Sequence, residues 1–293
     1  MGVPGHPGGT IVRATWWIPA IVIAAACKPD AGETTPAATY LSVSYGTDPA
    51  QVMDVRLPAG RTSATPVVVF IHGGGWSGGD KSIFLASDQQ RFVDAGYAAV
   101  NINYRLASNA TGVHDPVLST DVTAALDYVA AHATQYQIAP ATFALVGHSA
   151  GAHLALLASY KYDAAHRIKA VASLSGPTDL NDSTFLAIGG IRGTIEDYLG
   201  VTQAAAPARW TAASPVSVAT TTSAPTIIMQ GTVDVLVPHV EGEKLDARLT
   251  ALSVAHEYHA FGTYDHDLGY AATGHFPDNV MNPILAWFRT WLK

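Results

Sequence analysis

Ser149 stands in the run Gly147-His148-Ser149-Ala150-Gly151, with apolar residues 143–146 before it and an Ala- and Leu-rich stretch, residues 150–160, after it. A serine pinched between a predicted strand and a predicted helix, with glycine two positions to either side, fits a tight turn that lifts a nucleophilic hydroxyl clear of the backbone. The bare Gly-x-Ser-x-Gly pattern also occurs in glycine-rich loops that do no chemistry, so the flanking strand and helix carry the reading. A second stretch, His72-Gly73-Gly74-Gly75-Trp76, follows the apolar residues 66–71. Three glycines bring no side chain to a core. They let backbone N–H groups approach a ligand closely, and the oxyanion of a tetrahedral acyl-transfer intermediate is such a ligand. A phosphate-binding loop is the weaker reading, because no Gly-Lys-Ser/Thr follows.

A serine hydroxyl is a poor nucleophile at neutral pH. It needs a base within hydrogen-bond reach, and the base needs a partner that fixes its tautomer. Asp234 leaves the predicted strand 225–230 in Gly231-Thr232-Val233-Asp234, and His266 lies in the loop 262–269 beyond the predicted strand 254–261. Ser149, Asp234 and His266 are therefore the expected catalytic set. Of the 12 histidines, His256 and His259 fall inside that last strand and His275 falls beside the final helix, 277–292, which leaves His259 as the reserve base. Asp179 ranks below Asp234 as the acid. Asp121 and Asp127, on a predicted helix over 116–133, read as buttressing or solvated groups, and Asp265 and Asp267 as loop or solvent groups.

The elements that must position these residues alternate. Strands are predicted at 40–45, 51–57, 66–71, 97–103, 143–146, 168–174, 225–230 and 254–261, the first two as edge strands, with helices at 88–95, 116–133, 150–160, 240–252 and 277–292 between the later ones. Strand–helix alternation implies an α/β fold with a mostly parallel twisted sheet flanked by helices, and ligands bind at the carboxyl ends of such strands. Residues 175–224 lose the pattern and are expected to form a small cap between the strand after the nucleophile helix and the strand carrying the acid. Trp210 in that cap is a candidate to line a substrate pocket, together with Trp76 and His148 beside the two motifs.

On these residues the chain resembles the α/β-hydrolase family, and within it the HGGG-bearing bacterial carboxylesterases. The resemblance runs from about Tyr40 to the C-terminus and rests on His72-Gly-Gly-Gly-Trp76 with Gly79-Asp80-Lys81, Asn103-Tyr-Arg-Leu106, Gly147-His-Ser-Ala-Gly151, Ser214-Pro215, and Gly231-Thr-Val-Asp234 with Val237-Pro238. The Trp after the glycines and the Gly-Thr-x-Asp run are similar to the acetyl/feruloyl esterase and arylformamidase branch. The resemblance implies oxyanion donors at the N–H groups of Gly74, Gly75 and Ala150. One departure is the His loop, Asp265-His266-Asp267-Leu268, where the family often has His followed by Gly and an aromatic residue.

The 293 residues are 48% hydrophobic and 13% charged with a formal net charge of -7, enough for one α/β core, and no basic cluster suggests nucleic acid. Residues 1–27 read as a signal peptide of lipoprotein type: one positive charge at Arg13, an apolar stretch over 14–26 that is short for a membrane span, and the only cysteine, Cys27, after three alanines. Residues 28–39 read as a flexible tether and residues 40–293 as the catalytic domain. The expectation is an exported protein, periplasmic or extracellular, held at a membrane only if Cys27 carries a lipid; Ala24 in place of the usual Leu three residues before the cysteine leaves ordinary signal cleavage as the alternative. The expected activity is hydrolysis of short-chain acyl esters, acetyl-like or aryl, with a small-molecule, carbohydrate or aryl ester as substrate, water as co-substrate, and neither metal nor organic cofactor. An amidase or formamidase using the same three residues is the alternative, and a non-catalytic surface lipoprotein the remote one.

Overall fold

The computed structural model of the protein describes residues Thr34–Lys293; the expected signal peptide, Cys27 and most of the tether lie outside them. The strands are β1 (Ala38–Ser44), β2 (Val52–Leu57), β3 (Val67–Ile71), β4 (Ala98–Ile102), β5 (Phe143–His148), β6 (Ile168–Leu174), β7 (Thr226–Gly231) and β8 (His256–Phe261). They form one sheet in the order β1-β2-β4-β3-β5-β6-β7-β8, in which β3 to β8 run parallel and β1 and β2 antiparallel to their neighbours. β1 begins two residues inside the stretch expected to be tether. β2 pairs on both sides, so it is not the edge its alternation suggested: the alternation arises because one of its faces is buried while the other stays half open.

The helices are α1 (Ala86–Asp94), α2 (Val117–Ala131), α3 (Ala133–Tyr136), α4 (Ala150–Leu157), α5 (Ser183–Leu186), α6 (Ile191–Leu199), α7 (Pro207–Ala212), α8 (Pro215–Val218), α9 (Val240–Leu252), α10 (Tyr270–Thr273) and α11 (Asp278–Trp291). α4 passes into a wider π turn over Ala158–Tyr162. The segment expected to be a cap holds the four short helices α5 to α8.

Buried strands with side chains on both faces explain the layers. Along β3, Val67, Val69 and Ile71 face a core shared with Leu118 and Val122 of α2, while Val68 and Phe70 face Phe92 of α1 and Phe288 of α11. Phe70 meets Phe92 edge-on with ring centroids 5.3 Å apart. Truncating such a fully buried ring typically loses about 3–5 kcal/mol.

The parallel register matters for chemistry because it brings four chain exits to one rim. Ile71 pairs with Gly147, Gly147 with Ser173, and Gly231 with Phe261. The glycine loop, the elbow, the acid loop and the histidine loop therefore all leave the same end of the sheet. In the order β4-β3-β5 the chain adds β4 on one side of β3 and then crosses back to add β5 on the other, and this reversal of winding marks the position where open α/β sheets hold their ligands.

Candidate active site

The elbow is built by its glycines. Ser149 has φ 55° and ψ -123°, outside the regions an L-residue ordinarily occupies. A side chain at Gly147 would lie 2.3 Å from the Gly151 carbonyl oxygen, and one at Gly151 would lie 2.1 Å from that of Ile71. Neither contact can be relieved by a flexible neighbour, since both partners are backbone. The strained serine is thus held by β5 before it and α4 after it.

His266 reaches this serine from the β8 loop. Its Nε2 lies 2.8 Å from Ser149 Oγ, and its Nδ1 lies 2.9 Å from Asp234 Oδ2. Partners fix the proton positions: Nδ1–H donates to the carboxylate, leaving the Nε2 lone pair to accept the serine O–H. The Asp234 side chain is sealed from solvent. Its Oδ1 accepts N–H bonds from Leu236 and Val237, both at 2.9 Å, and its Oδ2 also accepts from Gln230 Nε2 at 3.2 Å. Four donors converge on this buried carboxylate, which suits an acceptor-only anion. Gly231 permits the close approach of the two loops, because a Cβ there would meet the Tyr264 carbonyl oxygen at 2.2 Å.

Opposite the serine, Gly74 and Gly75 have φ +119° and +56°, and Trp76 follows at φ 62°. Their loop is pinned from several directions. Tyr104 donates its O–H to the His72 carbonyl at 2.9 Å and stacks on the His72 ring, whose pKa burial lowers. Asn103 accepts from the Lys81 N–H at 2.6 Å and donates to Asp80 at 2.8 Å. Burial works against the Asp80 carboxylate, but bonds from Asn103 and Ser82 outweigh it and hold its pKa at about 2. Asp121 is buried beneath Arg105, accepting from its guanidinium and from Gln51 Nε2 at 2.7 Å. It buttresses, as its sequence position suggested.

Gly74, Gly75 and Ala150 all border the cavity around Ser149. Among the described residues, the N–H groups of Gly74 and Gly75 donate to nothing. That of Ala150 belongs to the first turn of α4, where helical N–H groups have no partner of their own.

The cavity measures about 490 Å³. Trp76 and His148 border it, and Ile191, Thr194, Phe185 and Pro177 close it from the cap. Trp210 does not: it is fully buried, with its indole N–H given to the Val201 carbonyl at 3.2 Å, so it packs the cap. Asp265 is exposed; Asp267, read as a loop or solvent group, lies in the loop and also borders the cavity. Asp179 pairs with Lys244 at 2.7 Å and takes no part, and His259 lies beside Glu257 at 2.9 Å.

Two histidines that support the site stay neutral. His148 donates Nε2–H to the His266 carbonyl at 3.0 Å, and burial lowers its pKa to about 4. His153, on α4, donates Nε2–H to the Ala213 carbonyl at 2.8 Å and accepts at Nδ1 from Trp76 Nε1 at 3.2 Å; burial again lowers its pKa to about 4. No motif in the sequence points to His153. The available signal is one imidazole in the otherwise apolar run Ala150–Leu157, which has to find partners inside.

Residues 53–249 match the model of the BD-FAE family. Esterase LipC of Mycobacterium tuberculosis is 27% identical over 232 residues, covering 72% of this chain and 55% of that protein. The kynurenine formamidase of Danio rerio is 30% identical over 151 residues, covering 48% and 47%. The chain spans about half the length of these curated relatives. A truncated carbohydrate esterase from gut microbiota shares the fold with a TM-score of 0.74 at 20% identity, over 86% of this chain and 95% of that one.

Proposed function

Because the chain belongs to the BD-FAE family of α/β-hydrolases, we propose that it is a serine esterase that hydrolyses short acyl esters through an acyl-enzyme. The observation that carries this reading is the unbroken relay from Ser149 Oγ to His266 at 2.8 Å and on to Asp234 at 2.9 Å, facing the glycine loop.

Ser149 Oγ attacks the ester carbonyl as His266 Nε2 takes its proton. The carbonyl oxygen becomes an oxyanion, held by the N–H groups of Gly74, Gly75 and Ala150. Asp234 stabilises the imidazolium and keeps it oriented. The intermediate collapses as His266 returns the proton to the leaving oxygen, giving the acyl-serine and a free alcohol. Water, deprotonated by His266, then attacks the acyl carbon, and Ser149 is restored with release of the acid. Fixed donors are worth more here than in water, because the largely apolar cavity wall lowers the local dielectric constant. The short-acyl preference rests on the cap residues Phe185, Ile191 and Thr194, which line the cavity opposite the glycine loop; Thr194 Cγ2 lies 3.4 Å from where a Gly75 side chain would begin, at van der Waals contact.

Ser149→Ala is expected to abolish hydrolysis of p-nitrophenyl acetate, and a series of p-nitrophenyl esters is expected to fall off as the acyl chain lengthens. Undiminished turnover by Ser149→Ala would end the proposal. A formamidase reading uses the same residues and is favoured by the likeness to a kynurenine formamidase. Faster turnover of an N-aryl formamide than of the matching aryl acetate would select it. Export and lipid attachment at Cys27 belong to the proposal as well and rest on the sequence of residues 1–27.

A further inference from the structure

Among the described residues, Asp267 is the only Asp, Glu, Lys or Arg that lines the cavity, and its charge acts on the lining residues His148 and Tyr270. Among the same residues its carboxylate accepts no hydrogen bond and forms no ion pair; only its backbone is engaged, the N–H donating to Asp265 and the carbonyl accepting from the Tyr270 N–H at 2.9 Å. The residue is half-buried, so water reaches the carboxylate while its charge puts a negative potential on a mainly apolar wall. Its place in the reaction follows from the proposed function: His266 must hand a proton to the leaving oxygen, so the leaving group departs past the His266 loop, and Asp267 is the next residue of that loop.

The surroundings share its preference. The rings of Tyr270 and Phe276, with centroids 5.1 Å apart, belong to residues that also line the cavity, and ring faces attract cations. His148 gives its Nε2–H to the His266 carbonyl, so its Nδ1 keeps a free lone pair. The His148 side chain is only 8% exposed, borders the cavity, and finds no partner for that nitrogen among the described residues.

We propose that Asp267, with the Tyr270 and Phe276 rings, makes the cavity charge-selective, favouring esters whose leaving group carries a positive charge and disfavouring those whose leaving group carries a carboxylate. This rests on the esterase reading and goes beyond it. For a separation of about 7 Å and an effective dielectric constant of about 40, each unit of charge on the leaving group changes kcat/KM on the order of tenfold.

The test compares three acetate esters of similar size: acetylcholine, its uncharged isostere 3,3-dimethylbutyl acetate, and 4-acetoxybutanoate. At low salt the wild-type kcat/KM is expected to fall in that order, with the cationic ester on the order of a hundredfold above the anionic one, and the spread to narrow at high ionic strength. Asp267→Asn is expected to shrink the ratios to within a few-fold of unity, and Asp267→Glu to keep them. Ratios are independent of any overall change in turnover, and the wild-type salt dependence stands even if a variant fails to fold. An active wild type that ignores substrate charge, or an Asp267→Asn variant with unchanged ratios, overturns this inference alone. A wild type inactive on all three esters and on p-nitrophenyl acetate overturns it together with the esterase reading.

Discussion

The elbow and the glycine loop meet through one residue without a side chain, and filling that space should separate them. In Gly151→Ala the new Cβ would lie 2.1 Å from the Ile71 carbonyl oxygen and 2.4 Å from that of His72. To reach ordinary van der Waals contact α4 must withdraw from the end of β3 by more than about 1 Å. A displacement of that size at reacting groups lowers turnover on the order of a hundredfold, here because Ser149 and the Ala150 N–H ride on α4 while Gly74 and Gly75 stay with β3. Overpacking against backbone also destabilises, by about 3 kcal/mol, which for a domain of this size lowers Tm by roughly 6–12 °C. Gly193 is the control: it lies in α6 with no atom within 4 Å of where a Cβ would stand, so Gly193→Ala should raise stability by about 0.5–1 kcal/mol. The assay is kcat on p-nitrophenyl acetate beside thermal unfolding. A Gly151→Ala protein with wild-type kcat and Tm would refute the reasoning.

Other perturbations reach different parts of the molecule. In Asp234→Asn the amide oxygen can keep the Leu236 and Val237 N–H bonds, but the amide NH₂ then faces His266 Nδ1 and forces the tautomer whose Nε2–H points at Ser149; kcat should drop on the order of 10⁴-fold with Tm little changed. Acid stability should follow buried histidines on one side and a buried glutamate on the other. His148 and His153, lowered from 6.5 to about 4, favour the folded state above pH 6.5 and lose that contribution as pH falls toward 4. Glu241, raised by burial from 4.5 to about 7, works in the opposite direction, holding a proton that the unfolded chain releases. These two protons against one give a fall of about 1.4 kcal/mol per pH unit from 6.5 to 4.5; His72, also lowered by burial, steepens it further, and Glu241→Gln should add about another 1.4 kcal/mol per pH unit in denaturant titrations. A slope of the opposite sign would count against the neutral imidazoles. Finally, Cys27→Ser should move the protein from the membrane fraction to the soluble exported fraction; unchanged membrane association would argue against a lipid on Cys27.

The mostly parallel sheet and its flanking helices are legible in the sequence because buried parallel strands announce themselves as continuous apolar runs, and Val67–Ile71 and residues 143–146 are such runs; the strand order is not. The elbow is legible for a stricter reason: backbone oxygens lie within 2.3 Å of where side chains at 147 and 151 would start, so only glycine fits. Other features leave weaker traces. Nothing in the composition of the cap separates a tryptophan that faces inward to substrate from one that fills the cap's own core, and Trp210 does the latter. Asp267 escapes a sequence reading because neighbouring residues usually diverge. Here Leu268 at φ 50° and Gly269 at φ 83° turn the chain back at once, and positions 266 and 267 both end at the cavity. His153 escapes it because its two partners, Trp76 and the Ala213 carbonyl, are distant in sequence.

The most direct test is covalent. A fluorophosphonate probe followed by peptide mapping is predicted to place one adduct on Ser149, with labelling lost in Ser149→Ala and strongly slowed in His266→Ala. A folded protein that takes no label, or takes it on another residue, would contradict the assignment of Ser149 as the nucleophile.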